Sequence, residues 1–242
     1  MQSVSSGAYL KTSANDGGEV KLRLSQPAIL YVQMNKNSQL QQPQPLIEYV
    51  RHDLTLELGT SQLLMTSFPL IVSDILDTER SQIASPKVWL MDHQEPLGME
   101  TLYFKGESFY APPHIITILL GEYDDRRYPA AGPMYIRRLF TFLSNIRYRF
   151  PHAFIIVLSE PLGVLFQESQ KAALQMSVAD ENIAFVDTTV WIRYGPTHYT
   201  NPLHLNDKGQ ELFAHKLAPL LKAKLNGLPF PVQPNPNLPY DW

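Results

Sequence analysis

The sequence of 242 residues contains no cysteine. That removes disulfides, zinc–thiolate sites and thiol nucleophiles together, and it suits a reducing compartment and a disulfide-free secreted protein equally. No run approaches the roughly 20 continuous apolar residues that a spanning helix needs, so no membrane insertion is expected. Residues 1–20 also lack the charged start and apolar middle of a signal peptide, and the compartment stays open. A cationic excess is missing too. Lys+Arg 20 against Asp+Glu 23 gives a formal net charge of -3, and the pI is near 6.2. No basic face is then broad enough to neutralise a run of phosphates, which argues against nucleic acid as a partner. A Gly-rich phosphate loop is absent and no cofactor is implied. Nothing in the sequence speaks to oligomeric state.

What is present is a folding composition, 44% hydrophobic, long enough for one large domain or two small ones. Residues 1–105 read as a β-sandwich or jelly-roll domain. Short β-rich segments run over Ala8–Thr12, Glu19–Leu24, Ile29–Met34, Leu46–Val50, Leu54–Leu58, Leu63–Phe68, Val88–Met91 and Leu102–Phe104. Period-two patterning is visible in Val20-Lys21-Leu22-Arg23-Leu24 and Leu54-Thr55-Leu56-Glu57-Leu58. Turn chemistry separates the segments, notably Asn15-Asp16-Gly17-Gly18 and the Gln/Asn/Pro-rich run Asn35–Pro45.

After Pro112-Pro113 the pattern becomes α/β, assigned to residues 106–227. Ile115–Leu120, Ala153–Leu158 and Ile183–Asp187 are apolar runs expected of parallel strands buried on both faces. Between them a helix starts at Pro133, with Ile136, Leu139, Phe140, Leu143 and Ile146 on its inner face, and a second spans Gly163–Val178. A last helix is expected to be capped by Asp207 with Gln210, to bury Phe213, Leu217, Leu220 and Leu221, and to bend at Pro219. Residues 228–242 form an extended Pro-rich tail.

Ligand sites of parallel sheets lie at the carboxyl ends of the strands, which selects Gly121-Glu122-Tyr123-Asp124-Asp125 and His198–His204. Two adjacent carboxylates, Asp124-Asp125, without a matching His or third acid do not make a metal site, and none is expected. Arg126 and Arg127 read as a solvated face. Ser159 reads as a turn residue at a strand end, and Trp191 as either packing or a rim aromatic for a sugar ring.

The strand ending in Gly121-Glu122-Tyr123-Asp124, the two strand–helix units and Asn201-Pro202-Leu203-His204 before an amphipathic helix resemble the SGNH (GDSL-type) ester hydrolases over about Pro113 to Leu225. With a β-domain in front, the chain is similar to the two-domain esterases of carbohydrate esterase family two. In that family the Asn of G-x-N-D donates to the oxyanion, and the His of D-x-x-H is general base to a Ser in an early G-D-S motif. The resemblance implies a reduced three-layer SGNH-type α/β domain with a parallel sheet, and a small ester or acetylated carbohydrate as substrate. It implies His204 as base, Asn201 at the orienting Asp position, and Gly121, Tyr123, Asp124 and Trp191 on the oxyanion or substrate side.

Three departures weaken the implied activity. Asn201 brings no charge to the imidazolium. Tyr123 replaces the oxyanion-binding Asn, a loss worth about 3 kcal/mol where such a donor is missing. Ser108, in Phe104-Lys105-Gly106-Glu107-Ser108, stands in the only stretch that looks like a strand followed by G-D-S, with Glu for Asp, and it comes only thirteen positions before Gly121. That spacing is too short for a parallel crossover plus the next strand. The expectation is an ester hydrolase with weak or lost activity. The alternatives are a pseudoenzyme that binds carbohydrate or a partner, and a shortened form of an active esterase. Relatives of this kind are commonly secreted.

Overall fold

The computed structural model describes residues 45–51, 67–84, 88–90, 98–105, 112–127 and 132–230. Their elements, in chain order, are β1 (Leu46–Arg51), α1 (Phe68–Leu76), β2 (Glu79–Ala84), α2 (Met99–Lys105), β3 (Ile115–Leu119), α3 (Glu122–Arg127), α4 (Gly132–Arg149), β4 (Phe154–Leu158), α5 (Phe166–Ser177), β5 (Ile183–Val186) and α6 (Asp207–Leu225).

The runs Ile115-Ile116-Thr117-Ile118-Leu119 and Phe154-Ile155-Ile156-Val157-Leu158 are rich in β-branched residues and have no polar face. They form β3 and β4, buried along their whole length. The sheet has five strands in the order β2-β1-β3-β4-β5, and every neighbouring pair is parallel. One face packs on α2, α4 and α5 through Leu102, Tyr103, Leu139, Phe142, Leu143 and Ala172. The other packs on α1 and α6 through Phe68, Val72, Phe213, Leu217 and Leu221. The result is three layers.

The structure moves several segments from where sequence patterning placed them. Leu46–Val50 is a strand, but it lies between β2 and β3 in the parallel sheet rather than in a β-sandwich. Phe68 opens a helix with Pro69 in its first turn. Residues 88–90 are irregular, and Leu102–Phe104 belongs to α2. The other expected β-domain segments lie outside the described residues. So do residues 231–242 of the tail. In α4 the inner stripe is Tyr135, Leu139, Phe142, Leu143 and Ile146, and Phe140 faces outward. The cap of α6 is Asn206 rather than Asp207: its side chain accepts from Gly209 N at 3.0 Å. Gln210 does not close a capping box but accepts from Phe68 N at 3.1 Å, tying α6 to the first turn of α1. Pro219 lies inside α6, which runs on to Leu225.

Arg147 closes the amino edge of the sheet. Its Nε donates to Asp180 at 2.6 Å, and its terminal nitrogens donate to the carbonyls of Phe150, Pro151, Ala153 and Asn182. A planar fork reaches all of these at once, whereas an ammonium cannot. Arg147→Lys is expected to lower stability by about 2 kcal/mol in urea denaturation; an unchanged midpoint would contradict this role.

Glu48, on β1 and turned toward α2, accepts from the Tyr103 hydroxyl. Burial pushes its carboxyl above the usual carboxylate range, against the Tyr103 bond and the Arg149 charge, which act to lower it. A raised folded value means that the protonated form favours the fold. The contribution is full below the unfolded value of about 4.3 and is lost as pH rises through the raised folded value. Glu48→Gln should therefore flatten that limb of the melting temperature against pH, and an unaltered curve would show that Glu48 does not cause it.

Candidate active site

A sheet of order 2-1-3-4-5 changes direction between its first and third strands, and ligands bind outside the carboxyl ends at that switch point. Five pieces of chain reach this edge: Arg51 at the end of β1, Gly121 after β3, Ser159-Glu160 after β4, Thr188 after β5, and the loop 193–206 that leads into α6. The Arg51 guanidinium lies over the Phe68 ring, 4.5 Å from its centroid, which brings the end of β1 against the first turn of α1. Phe68 in turn packs on Phe213 of α6 at 4.6 Å between centroids.

The loop before α6 is shaped by its own side chains. Asn201 Oδ1 accepts from the backbone N–H of Leu203 and of His204, each at 3.0 Å, and lies 2.9 Å from His204 Nδ1. Three nitrogens converge on one carbonyl oxygen, so that atom is an acceptor and Nδ1 carries the proton. His204 Nε2 is therefore a bare acceptor. It is buried without a hydrogen-bond partner, and the residue as a whole is 8% exposed. Thr200 N donates to His204 O, and Tyr199 bridges Leu205, which folds the loop back on itself.

Asn206 secures this loop to the helix. Its amide donates to the carbonyls of Pro196 and Thr197, its backbone N–H to His198 O, and its oxygen accepts from Gly209. Gly209 is required here, because a Cβ would run into the His198 carbonyl.

The remaining expected residues divide. Gly121 is buried at φ +128, where a Cβ would press on the Tyr135 hydroxyl at 3.1 Å. Tyr123 is half-buried on α3. Both oxygens of Asp124 accept from Leu90 N, at 3.0 and 2.9 Å, so this carboxylate holds the 88–90 segment in place instead of facing a ligand. Trp191 is 6% exposed and packs on Phe213 at 5.1 Å, in the core rather than on the rim. Ser159 is a strand-end fastener: its Oγ accepts from Thr188 N at 2.7 Å, and Thr188 Oγ1 donates to Ser159 O at 2.6 Å. Ser108 lies outside the described residues, and the segment before it is helix α2 rather than a strand. Among the described residues no three His, Asp or Glu side chains come together to hold a metal ion, and no helix is long and apolar enough to cross a membrane.

Sequence reading passed over Arg51 because β1 was placed in another sheet. It also passed over Tyr199, although that residue stands in the His204 loop. Tyr199 is 5% exposed and its hydroxyl has no hydrogen-bond partner. Burial pushes the phenol up to about 12, with the charges of Glu160 and Tyr194 acting in the same direction. It is a proton donor at any physiological pH.

No protein-family model matches the sequence, and no curated protein matches it. Solved structures do match. A family two carbohydrate esterase from Clostridium thermocellum in complex with cellohexaose superposes with TM-score 0.65 at 21% identity, covering 78% of this chain and 67% of that one. An acetyl xylan esterase from the rumen bacterium Butyrivibrio proteoclasticus gives 0.64 at 14% identity, covering 77% and 66%. A carbohydrate acetylesterase family member from Sinorhizobium meliloti gives 0.53 at 18% identity, covering 76% of this chain and 100% of that one. The fold is that of the SGNH-type carbohydrate esterases. The chain spans about two thirds of the length of the two longer esterases.

The shared Asn201 oxygen makes a spectroscopic prediction. Long-range proton–nitrogen NMR spectra should show His204 in its Nδ1–H form in the wild type, and Asn201→Ala should lose that preference. A wild-type ring protonated on Nε2 would contradict the hydrogen-bond assignment.

Proposed function

We propose that this chain is an SGNH-type ester hydrolase acting on small acyl esters such as O-acetyl groups on carbohydrate, with turnover held low by its own substitutions. The observation that carries this reading is the His204 ring, pinned at Nδ1 by Asn201 with Nε2 left as an unmatched acceptor in the loop between β5 and α6. In the proposed step a hydroxyl, assigned to Ser108, bonds to the ester carbonyl carbon as its proton passes to Nε2. The imidazolium returns that proton to the departing alcohol, and a water repeats the sequence to release the acid. Backbone N–H groups near Gly121 and the Tyr123 phenol are assigned to the oxyanion. Asn201 fixes the tautomer but supplies no negative charge to the imidazolium, so the base works at a disadvantage. The proposal includes an N-terminal β-domain, bounded before Leu46 because β1 belongs to the α/β layer.

A second reading, carbohydrate binding without turnover, draws support from β1. The sequence that follows this early strand reads His52-Asp53-Leu54, where the family resemblance calls for G-D-S. Hydrolysis of p-nitrophenyl acetate separates the two. On the hydrolase reading the wild type exceeds buffer and His204→Ala loses about 100-fold, the lower end of what a general base contributes. Equal rates for the two proteins would remove the hydrolase reading and leave the binding one.

A further inference from the structure

His204 stands on a short hairpin that closes before α6 begins. Thr200 N donates to His204 O at 2.9 Å, Asn206 N donates to His198 O at 2.8 Å, and between these bonds Tyr199 and Leu205 form an antiparallel bridge. Residues 198–200 are the outgoing limb and 204–206 the returning one. Asn201 sits at the tip, with its oxygen 2.9 Å from the His204 ring. A two-stranded hairpin of this size is marginal in water on its own. Here a side chain fastens its base. Asn206 Nδ2 donates to Pro196 O at 3.3 Å and to Thr197 O at 3.1 Å, while its Oδ1 accepts from Gly209 N at 3.0 Å. One amide thus grips the chain entering the outgoing limb with its nitrogen and the first turn of α6 with its oxygen. Gly209 allows the close approach, since a Cβ there would meet both His198 O and the Leu205 side chain.

We infer that Asn206 is a positioning residue for the His204 imidazole: its amide nitrogen fixes the hairpin on α6, and the hairpin aims the ring. The kinetic consequence rests on the hydrolase reading above, whereas the placement of the ring does not. The two ends of the amide have separable roles. Asp offers the same capping oxygen as Asn, caps a helix equally well, and adds a negative charge that a helix N-terminus favours. A carboxylate has no hydrogen to donate, so in Asn206→Asp the carbonyls of Pro196 and Thr197 would face an acceptor where they now face an N–H. That substitution keeps the helix and releases the limb. Thr200 and Asn201 then shift together, and the ring loses its fixed partner at Nδ1. A displacement of about 1 Å at a catalytic group can cost about 100-fold in rate.

The test reads the ring directly, by long-range proton–nitrogen NMR, alongside circular dichroism and p-nitrophenyl acetate kinetics. Asn206→Asp is expected to keep the helical content of the wild type while its His204 ring samples both tautomers. Asn206→Ser, which retains a capping oxygen without the amide or a charge, should do the same. Both should lower kcat about tenfold and leave KM unchanged, because the base is displaced and no contact to substrate is removed. Arg147→Lys is the control for stability alone: it weakens the amino edge of the sheet and should leave the ring in its Nδ1–H form with wild-type kcat. A wild-type ring not held as Nδ1–H, a ring still so held in both Asn206 variants, an unchanged kcat in both, or an equal change in Arg147→Lys would each overturn the inference. A wild type that hydrolyses no faster than buffer removes the hydrolase reading, and the ring spectra then decide the positioning role by themselves.

Discussion

A parallel strand with a hydrogen-bonded neighbour on each side must be covered on both faces, and β1 is the strand on which this demand falls hardest. Ile47 and Tyr49 meet it under α1 and α6, and Val50 meets it under α2 and α4. Glu48 points the same way as Val50 and is buried only because Tyr103 donates to it and Arg149 stands near. Once β1 is held between β2 and β3, the order in which successive strands are added reverses beside it, and a crevice opens at the carboxyl ends of β1 and β3.

The strands β3, β4 and β5 and the helices α4, α5 and α6 were legible because each carries one clean period: unbroken apolar runs for the strands, inward stripes for the helices. β1 was not legible as a parallel strand. Its sequence Leu46-Ile47-Glu48-Tyr49-Val50-Arg51 puts one charge on each face, so it shows neither the unbroken apolar run of β3 and β4 nor a clean alternation. Tertiary partners for Glu48 and Arg51 decide otherwise, and no window of local sequence contains them. The short helix α2, Met99-Glu100-Thr101-Leu102-Tyr103-Phe104-Lys105, reads as β-rich through its aromatics. It is helical where those aromatics pack against Phe142.

In the site, His204 and Asn201 were readable because their three-residue spacing is itself the geometry: one side chain folds back to cap the next turn of loop. The choice between Asn206 and Asp207 as helix cap was not readable, since both are good caps. What separates them is that an amide also donates, and Asn206 uses that donor on Pro196 and Thr197. Trp191 was open in sequence between a packing role and a place on the rim. The position of Phe213, which no local window contains, draws it inward.

The five bonds of Arg147 join the end of α4, the entry to β4 and the entry to β5 at a single guanidinium. That pole of the molecule behaves as a rivet. Loss of that one side chain would free three elements together, so fraying at this pole is expected as a single cooperative step.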